Sequence, residues 1–358
     1  MHRSPAIGLA GVLMLSAASA ALAQPAGPVV VTIKPIHSLV ATVMEGVGEP
    51  VLLLSGAASP HTYSLRPSDA RALASAAVVF WVGPGLEAFL TDSLATLAPR
   101  ASHVALAQSP GLSLLATREG GVWEEHAHEE GDGDHADEDH DHDHAEDEHE
   151  HAEDEHDHAE EEHDHADDHD DHDHAEDEHD HADHDHGPVD MHFWLDPIRA
   201  ADIADDIAEA LAAVDPGNAG AYRANAAALQ ADLVALDAEL AALLEPVHDV
   251  PYVVFHDGYQ YLEARYGLTG VGSVAINPEI PISAARLRAL EAVVEERGAR
   301  CAFGEPAFNT PIVETIAADT GIRFGVLDYL GVGIAAGPDA YDAILRANAA
   351  SLVECLGD

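Results

Sequence analysis

The 358-residue chain is short of positive charge. It carries 15 Lys and Arg against 66 Asp and Glu, for a formal net charge of −51. Phosphate backbones are held by clustered Lys and Arg, so this balance excludes a nucleic-acid partner. The natural counterpart of such a field is a cation. Cysteine is nearly absent: only Cys301 and Cys355 occur, and no paired C-x-x-C motif exists. Past the first two dozen residues no apolar run is long enough to cross a bilayer. H-E-x-x-H, nucleophile-elbow and deaminase signatures are also missing, which removes the commoner hydrolase motifs.

What the N-terminus does contain is a short basic start (His2, Arg3), an apolar Ala-rich run from Ala6 to Ala20, and Ala21-Leu22-Ala23. Residues 1–23 therefore read as a secretory signal peptide, cleaved near Ala23. The alternative, a membrane anchor, needs a longer stretch, and Pro25, Gly27 and Pro28 follow this one at once. No Cys stands after the cleavage position to carry a lipid, so the mature chain is expected to be soluble. Export places the two cysteines in an oxidising compartment. A Cys301–Cys355 disulfide is the simplest expectation, closing a loop of about 55 residues worth roughly 4 kcal/mol in the loop-entropy picture. A thiolate metal pair is the alternative, and it lacks the close spacing such pairs show.

Residues 124–186 hold 19 of the 26 histidines and 34 of the 66 acids, with no Lys or Arg. Without them, 32 acids face 15 bases and the charge is −17, that of an ordinary acidic globular protein. The histidines are His126, His128, His135, His140, His142, His144, His149, His151, His156, His158, His163, His165, His169, His172, His174, His179, His181, His184 and His186. A rough seven-residue repeat runs from His144 through His151 and His158, yet no repeat position holds anything apolar larger than Ala. With no seam to bury, a coiled coil is excluded. Like charges on every turn make disorder the expectation without bound metal. Alternating imidazole and carboxylate supplies many weak, exchangeable metal sites; the alternative is a solvated, dispensable linker.

Elsewhere, strands alternate with helices, the pattern of an α/β fold with mostly parallel sheets. Strands are expected at 29–33, 51–54, 77–82 and 103–106, with helices from Pro35, from Arg66-Pro67-Ser68-Asp69 and over 86–97. Phe193-Trp194-Leu195 is strand-like, and Asp196-Pro197 starts a helix to about Val214. Between Asn218 and Leu244 lies the longest helical pattern. Its Leu229, Leu233, Leu236, Leu240, Leu243 and Leu244 recur at spacings of three and four, and about 27 residues span roughly 40 Å. Strands near 252–255, 271–275, 300–304 and 322–327 then alternate with helices at 257–266, 283–297, 311–319 and 338–356. The layout is an N-terminal lobe (24–215) containing the insertion at 124–186, a linking helix (216–246) and a C-terminal lobe (247–358).

Outside the signal segment and the tract six histidines remain: His37, His61, His103, His192, His248 and His256. Three share a context. His61 lies in the loop after 51–54, His192 stands just before Phe-Trp-Leu and a helix cap, and His256 ends the strand Tyr-Val-Val-Phe. Open α/β sheets bind ligands beyond the carboxyl ends of their strands. Three imidazoles meeting there suit Zn²⁺, which takes nitrogen ligands in a tetrahedral set. The fourth ligand falls to water or to Asp328, at the end of the strand 322–327. Separations of 131 and 64 residues are no metal signature in themselves; the adjacent tract strengthens the reading. His37 and His103 read as surface or packing residues, and Arg66, Ser68 and Asp69 as a local helix start.

The ordered segments His61-Thr-Tyr-Ser-Leu-Arg-Pro-Ser-Asp69, Val79-Phe-Trp-Val-Gly-Pro84, Met191-His-Phe-Trp-Leu-Asp-Pro197, Val254-Phe-His-Asp-Gly-Tyr259, Asn277-Pro-Glu-Ile280, Glu305-Pro-Ala-Phe308 and Leu327-Asp-Tyr-Leu-Gly331 span almost the whole mature chain. Together they resemble the metal-binding family (cluster A-I) of ABC-transporter solute receptors. The resemblance implies two α/β lobes joined by a rigid helix, with metal held in the cleft between them. It matches His61, His192 and His256 to zinc-binding histidines, Asp328 to a carboxylate position, and the two cysteines to a family disulfide. Some members place a Glu before the first histidine; here Pro60 stands there and offers no ligand atom. Manganese-preferring relatives carry a carboxylate where this chain has His256, and three nitrogens favour zinc over the harder Mn²⁺.

The function expected is thus a periplasmic zinc receptor, a monomer that docks peripherally at the inner membrane on an ABC permease and its ATPase. A zinc buffer working through the tract is the second reading. A zinc hydrolase is the third, and would need a general base such as Asp328 near a metal-bound water.

Overall fold

Among the described residues, eight short strands build two sheets with the same strand order. β1 (Val29–Val31), β2 (Val51–Leu52), β3 (Val78–Trp81) and β4 (Ser102–Ala105) run β2-β1-β3-β4. β5 (Tyr252–His256), β6 (Gly270–Ala275), β7 (Cys301–Gly304) and β8 (Arg323–Val326) run β6-β5-β7-β8. Every ladder is parallel. The inner strands β1, β3, β5 and β7 are buried along their whole length. That is why they read as unbroken apolar runs: a parallel sheet is covered on both faces and has no polar side to alternate with. The computed structural model describes residues 27–118, 123, 189–275, 282–308 and 310–357. The signal segment, the histidine-rich tract and the motif at 277–280 lie outside these.

The helices in chain order are α1 (Lys34–Val43), α2 (Pro67–Ser75), α3 (Ala88–Thr91), α4 (Ser93–Leu97), α5 (Pro197–Asp202), α6 (Ala204–Val214), α7 (Ala219–Leu244), α8 (Gln260–Tyr266), α9 (Ala284–Arg297), α10 (Thr310–Thr320) and α11 (Ala340–Leu356). α7 is the long linking helix. Its Tyr222, Ala226, Leu229, Leu233, Leu236, Leu240 and Leu244 are buried at steps of three and four, a single apolar stripe. That stripe packs on α1, α5 and α6 of the first half and on α11 of the second. Each buried Leu contributes about 2 kcal/mol relative to exposure. Side chains around both sheets and α7 join one core, while a second cluster, including Val253, Phe255, Leu290 and Ile316, fills the outer layer of the second sheet.

Local chemistry sets several boundaries. At α5 the Asp196 side chain accepts the Ile198 amide at 2.9 Å, with Pro197 in the first turn, the expected cap. α8 and α9 end on Gly267 and Gly298 with φ of 66° and 67°, the left-handed terminus that glycine adopts without strain. Cys301 and Cys355 are disulfide-bonded, Cα atoms 6.2 Å apart, tying β7 to α11.

Three local expectations are corrected. Phe193–Leu195 forms one 3₁₀ turn rather than a strand, because all three side chains are buried and no neighbouring strand offers a ladder. The helix expected over 86–97 is two short helices, and the one after Asp196 is interrupted at Ile203.

Candidate metal centre

The second sheet reverses its direction of winding between β5 and β7, a topological switch point where ligands collect beyond the strand ends. His256 is the last residue of β5 and Glu305 follows β7 directly. Their side chains meet there, Glu305 Oε1 lying 2.7 Å from His256 Nδ1. Both are buried, Glu305 completely. His192 stands before the 3₁₀ turn. Asp190 Oδ1 accepts its backbone N–H at 2.9 Å and lies 2.8 Å from its Nδ1. A carboxylate oxygen accepts from each Nδ1–H, the arrangement that leaves Nε2 as the lone-pair nitrogen when the ring is neutral.

His61 comes from the first half, in the loop between β2 and α2. The Ser59 hydroxyl accepts its backbone N–H at 3.2 Å. Two residues on, Tyr63 donates to Asp69 Oδ2 at 2.6 Å, and the same oxygen accepts the Arg66 amide at 2.8 Å. The helix start read from Arg66 to Asp69 thus also pegs the loop that carries His61. Buried and without a hydrogen-bond partner, its Nε2 is available as a ligand atom.

The structure brings these three histidines together. One ligand atom from each lies within 4.8 Å of the others, with ring centroids 5.5, 5.7 and 5.1 Å apart. His192 Nε2 and His256 Nε2 stand 3.4 Å apart. Two nitrogens bound tetrahedrally to zinc at about 2.0–2.1 Å are separated by about 3.3–3.4 Å. The donor set suits that ion, and the spacing of this pair fits it.

Charge and burial prepare the rings differently. Burial, reinforced by the other two imidazoles, holds His61 well below the ordinary imidazole range, so it stays neutral. Burial also works to lower His256, but the Glu305 carboxylate outweighs it and the ring is raised. Aromatic rings flank the cluster: the Tyr329 ring is 4.9 Å from His256 and 5.6 Å from His192. Trp194 packs 5.2 Å from His192 and donates from its indole to the Tyr329 carbonyl at 3.1 Å. Gly258 leaves the approach open, since a Cβ there would stand 2.4 Å from His256 Nε2.

Asp328, the carboxylate expected at the site, is hydrogen-bonded within its own loop. Its Oδ1 accepts the amides of Leu330 and Gly331 at 3.2 and 2.8 Å, and its Oδ2 accepts that of Val332. It is not among the mutually close ligand atoms. These bonds fold the loop that presents Tyr329. The remaining histidines also stand apart. His37 is buried with Nε2 on the Pro50 carbonyl, His103 bonds the Ala98 carbonyl, and His248 is half-buried beside Asp249. The nineteen tract histidines lie outside the described residues. Sequence reasoning missed Asp190 and Glu305. The available signal was a carboxylate two residues before one ligand and another at the end of a buried strand.

A model of the family "ZnuA: Zinc-uptake complex component A periplasmic" matches residues 29–355. The chain is 43% identical over 348 residues to the high-affinity zinc uptake system protein ZnuA of Brucella abortus, covering 97% of each. Among solved structures, a crystal structure of ZnuA superposes with a TM-score of 0.67 at 23% identity, covering 93% of this chain and 100% of that one. The periplasmic zinc-binding protein TroA from Treponema pallidum gives 0.68 at 18% identity, covering 94% and 100%; at such identities these two speak for the fold. With its two parallel sheets, linking helix and matched length, the chain belongs to the ZnuA family of periplasmic zinc-uptake components.

Proposed function

We propose that this protein is a periplasmic high-affinity zinc receptor that delivers Zn²⁺ to an ABC-type importer. His61, His192 and His256 are the primary ligands, and the observation that carries this reading is the 3.4 Å Nε2–Nε2 pair within a three-imidazole cluster. Water completes the tetrahedron, because Asp328 is committed to backbone amides. Zinc is cargo here, held between a loop of the N-terminal lobe (24–215) and strand ends of the C-terminal lobe (247–358), with 216–246 as the linking segment. Residues 1–23 direct export and are removed. The partners are a permease and its ATPase, met at the membrane surface by a monomer; among the described residues no helix is long and apolar enough to cross a bilayer.

Catalysis is not part of the proposal. Of the carboxylates beside the cluster, Asp190 and Glu305 each hold an imidazole Nδ1 through one oxygen, and Asp328 accepts amides of its own loop. The tract at 124–186 collects zinc weakly and passes it on, a role drawn from its composition alone. Single His61→Ala, His192→Ala and His256→Ala variants, titrated against a competing chelator, test the site. Each is expected to lose the tight zinc while weak binding by the tract persists. Unchanged tight affinity in all three sinks the proposal.

A further inference from the structure

Beside the histidine cluster lies a cavity of about 180 Å³ whose walls include His61, His192, Arg118, Trp123 and Asp257. Asp257 directly follows His256 in sequence. Its side chain lines the same cavity as His61 and His192, and Arg118 holds it. Arg118 Nε lies 3.0 and 3.1 Å from the two Asp257 oxygens, and Nη2 donates to Oδ1 as well. Nη1 pairs with Glu263, a buried carboxylate that also accepts Tyr252 Oη at 3.1 Å. The Trp123 ring covers the guanidinium at 3.7 Å. Arg118 is thus fixed on three sides, and its planar fork leaves Asp257 little freedom to leave.

Donor type decides which divalent ion a site prefers. Imidazole suits zinc, while carboxylate oxygen suits harder ions such as Mn²⁺. We propose that Arg118 is a specificity-determining residue of the metal site: by sequestering Asp257 it keeps that carboxylate out of the donor set, so the three imidazoles meet the metal without it. The residue touches no ligand atom and acts through Asp257. The inference rests on the three-histidine reading above.

The test uses the full-length chain. Zn²⁺ affinity is measured by chelator competition and Mn²⁺ affinity by electron paramagnetic resonance titration. The same measurements on a His192→Ala background isolate the cluster from binding by the tract. In Arg118→Gln, Mn²⁺ binding at the cluster is expected to strengthen relative to Zn²⁺ by about tenfold, the lower end of what partners behind metal ligands command. Adding Asp257→Asn is expected to return the ratio to that of the wild type, and Arg118→Lys, which grips one oxygen at a time, to fall between. A merely structural role weakens both metals together and leaves their ratio alone. An unmoved ratio in Arg118→Gln, or a shift that survives Asp257→Asn, overturns the proposal. Should Arg118→Gln fail to fold, an unmoved ratio in Arg118→Lys does so. A wild-type chain without His192-dependent zinc would sink the zinc reading itself, whereas intact zinc binding with a fixed ratio sinks only the part given to Arg118.

Discussion

Replacing Glu305 by Gln probes how the site makes a good ligand of His256. Glu305 is fully buried, with Oε1 2.7 Å from His256 Nδ1. Gln preserves volume and can still accept that proton, so the cavity and fold are retained. What disappears is the negative charge. A hydrogen bond to a charged group is worth about 1.5–3 kcal/mol net, against about 1 for a neutral pair. The ring loses basicity at Nε2 by a similar amount. Zinc affinity is expected to fall about 10- to 30-fold, within the range set by groups that orient metal ligands. Glu305→Ala is expected to cost more, since it strands a buried Nδ1–H as well. Competition with a chelator of known affinity measures the loss, and circular dichroism confirms the fold. A double-mutant cycle locates it: in a His256→Ala background, Glu305→Gln should have almost no further effect. Wild-type affinity in Glu305→Gln, or an undiminished effect without His256, refutes the reasoning.

Gly258→Ala sets a methyl group 2.4 Å from His256 Nε2. Its tight zinc affinity is expected to drop at least about tenfold, with the apo melting temperature little changed, as seen by chelator competition beside calorimetry. Glu87 gives a pH signature. Burial pushes this carboxyl up to about 7, although Thr32 and the Gly83 amide donate to it. Its folded value lies above its unfolded one, so its stabilising proton is fully present below about 4.5 and is lost as pH rises through about 7, a decline of at most about 3 kcal/mol. Urea unfolding of chelator-treated protein at pH 5 and 8 should show that decline, and Glu87→Gln should flatten it. Breaking the link between β7 and α11 with Cys301→Ser and Cys355→Ser is expected to destabilise by about 2–5 kcal/mol. Urea midpoints measure this, while zinc affinity stays close to that of the wild type because neither cysteine is in the histidine cluster.

Much of the architecture was legible in the chain. The apolar runs at 29–33 and 77–82 announced strands of a parallel sheet, since a strand covered on both faces has no reason to alternate. The leucine spacing of α7 determined its length and most of its buried stripe, because helical periodicity is a local property; Leu243 of that pattern lies exposed. Motif order placed His61, His192 and His256 together as candidates even though their spacing has no metal signature. The 3₁₀ turn at Phe193–Leu195 was not legible: an apolar triplet is a strand only if a ladder partner exists, and partnership is tertiary.

The division is sharpest at the carboxylates. By itself the sequence determined which residues are able to ligate, by their chemistry, and which elements hold them, by their periodicity. It could not determine which oxygens would be free. Asp328 stands at a strand end as a ligand would, yet its oxygens are taken by the amides of Leu330, Gly331 and Val332. Asp257 stands beside His256 and is taken by Arg118, a residue 139 positions away. Glu305, 49 positions from His256, tunes it instead. Only tertiary structure decides such pairings. A carboxylate goes to the donor that the fold brings nearest in a dry interior, and that donor is set by packing over distances no local pattern records.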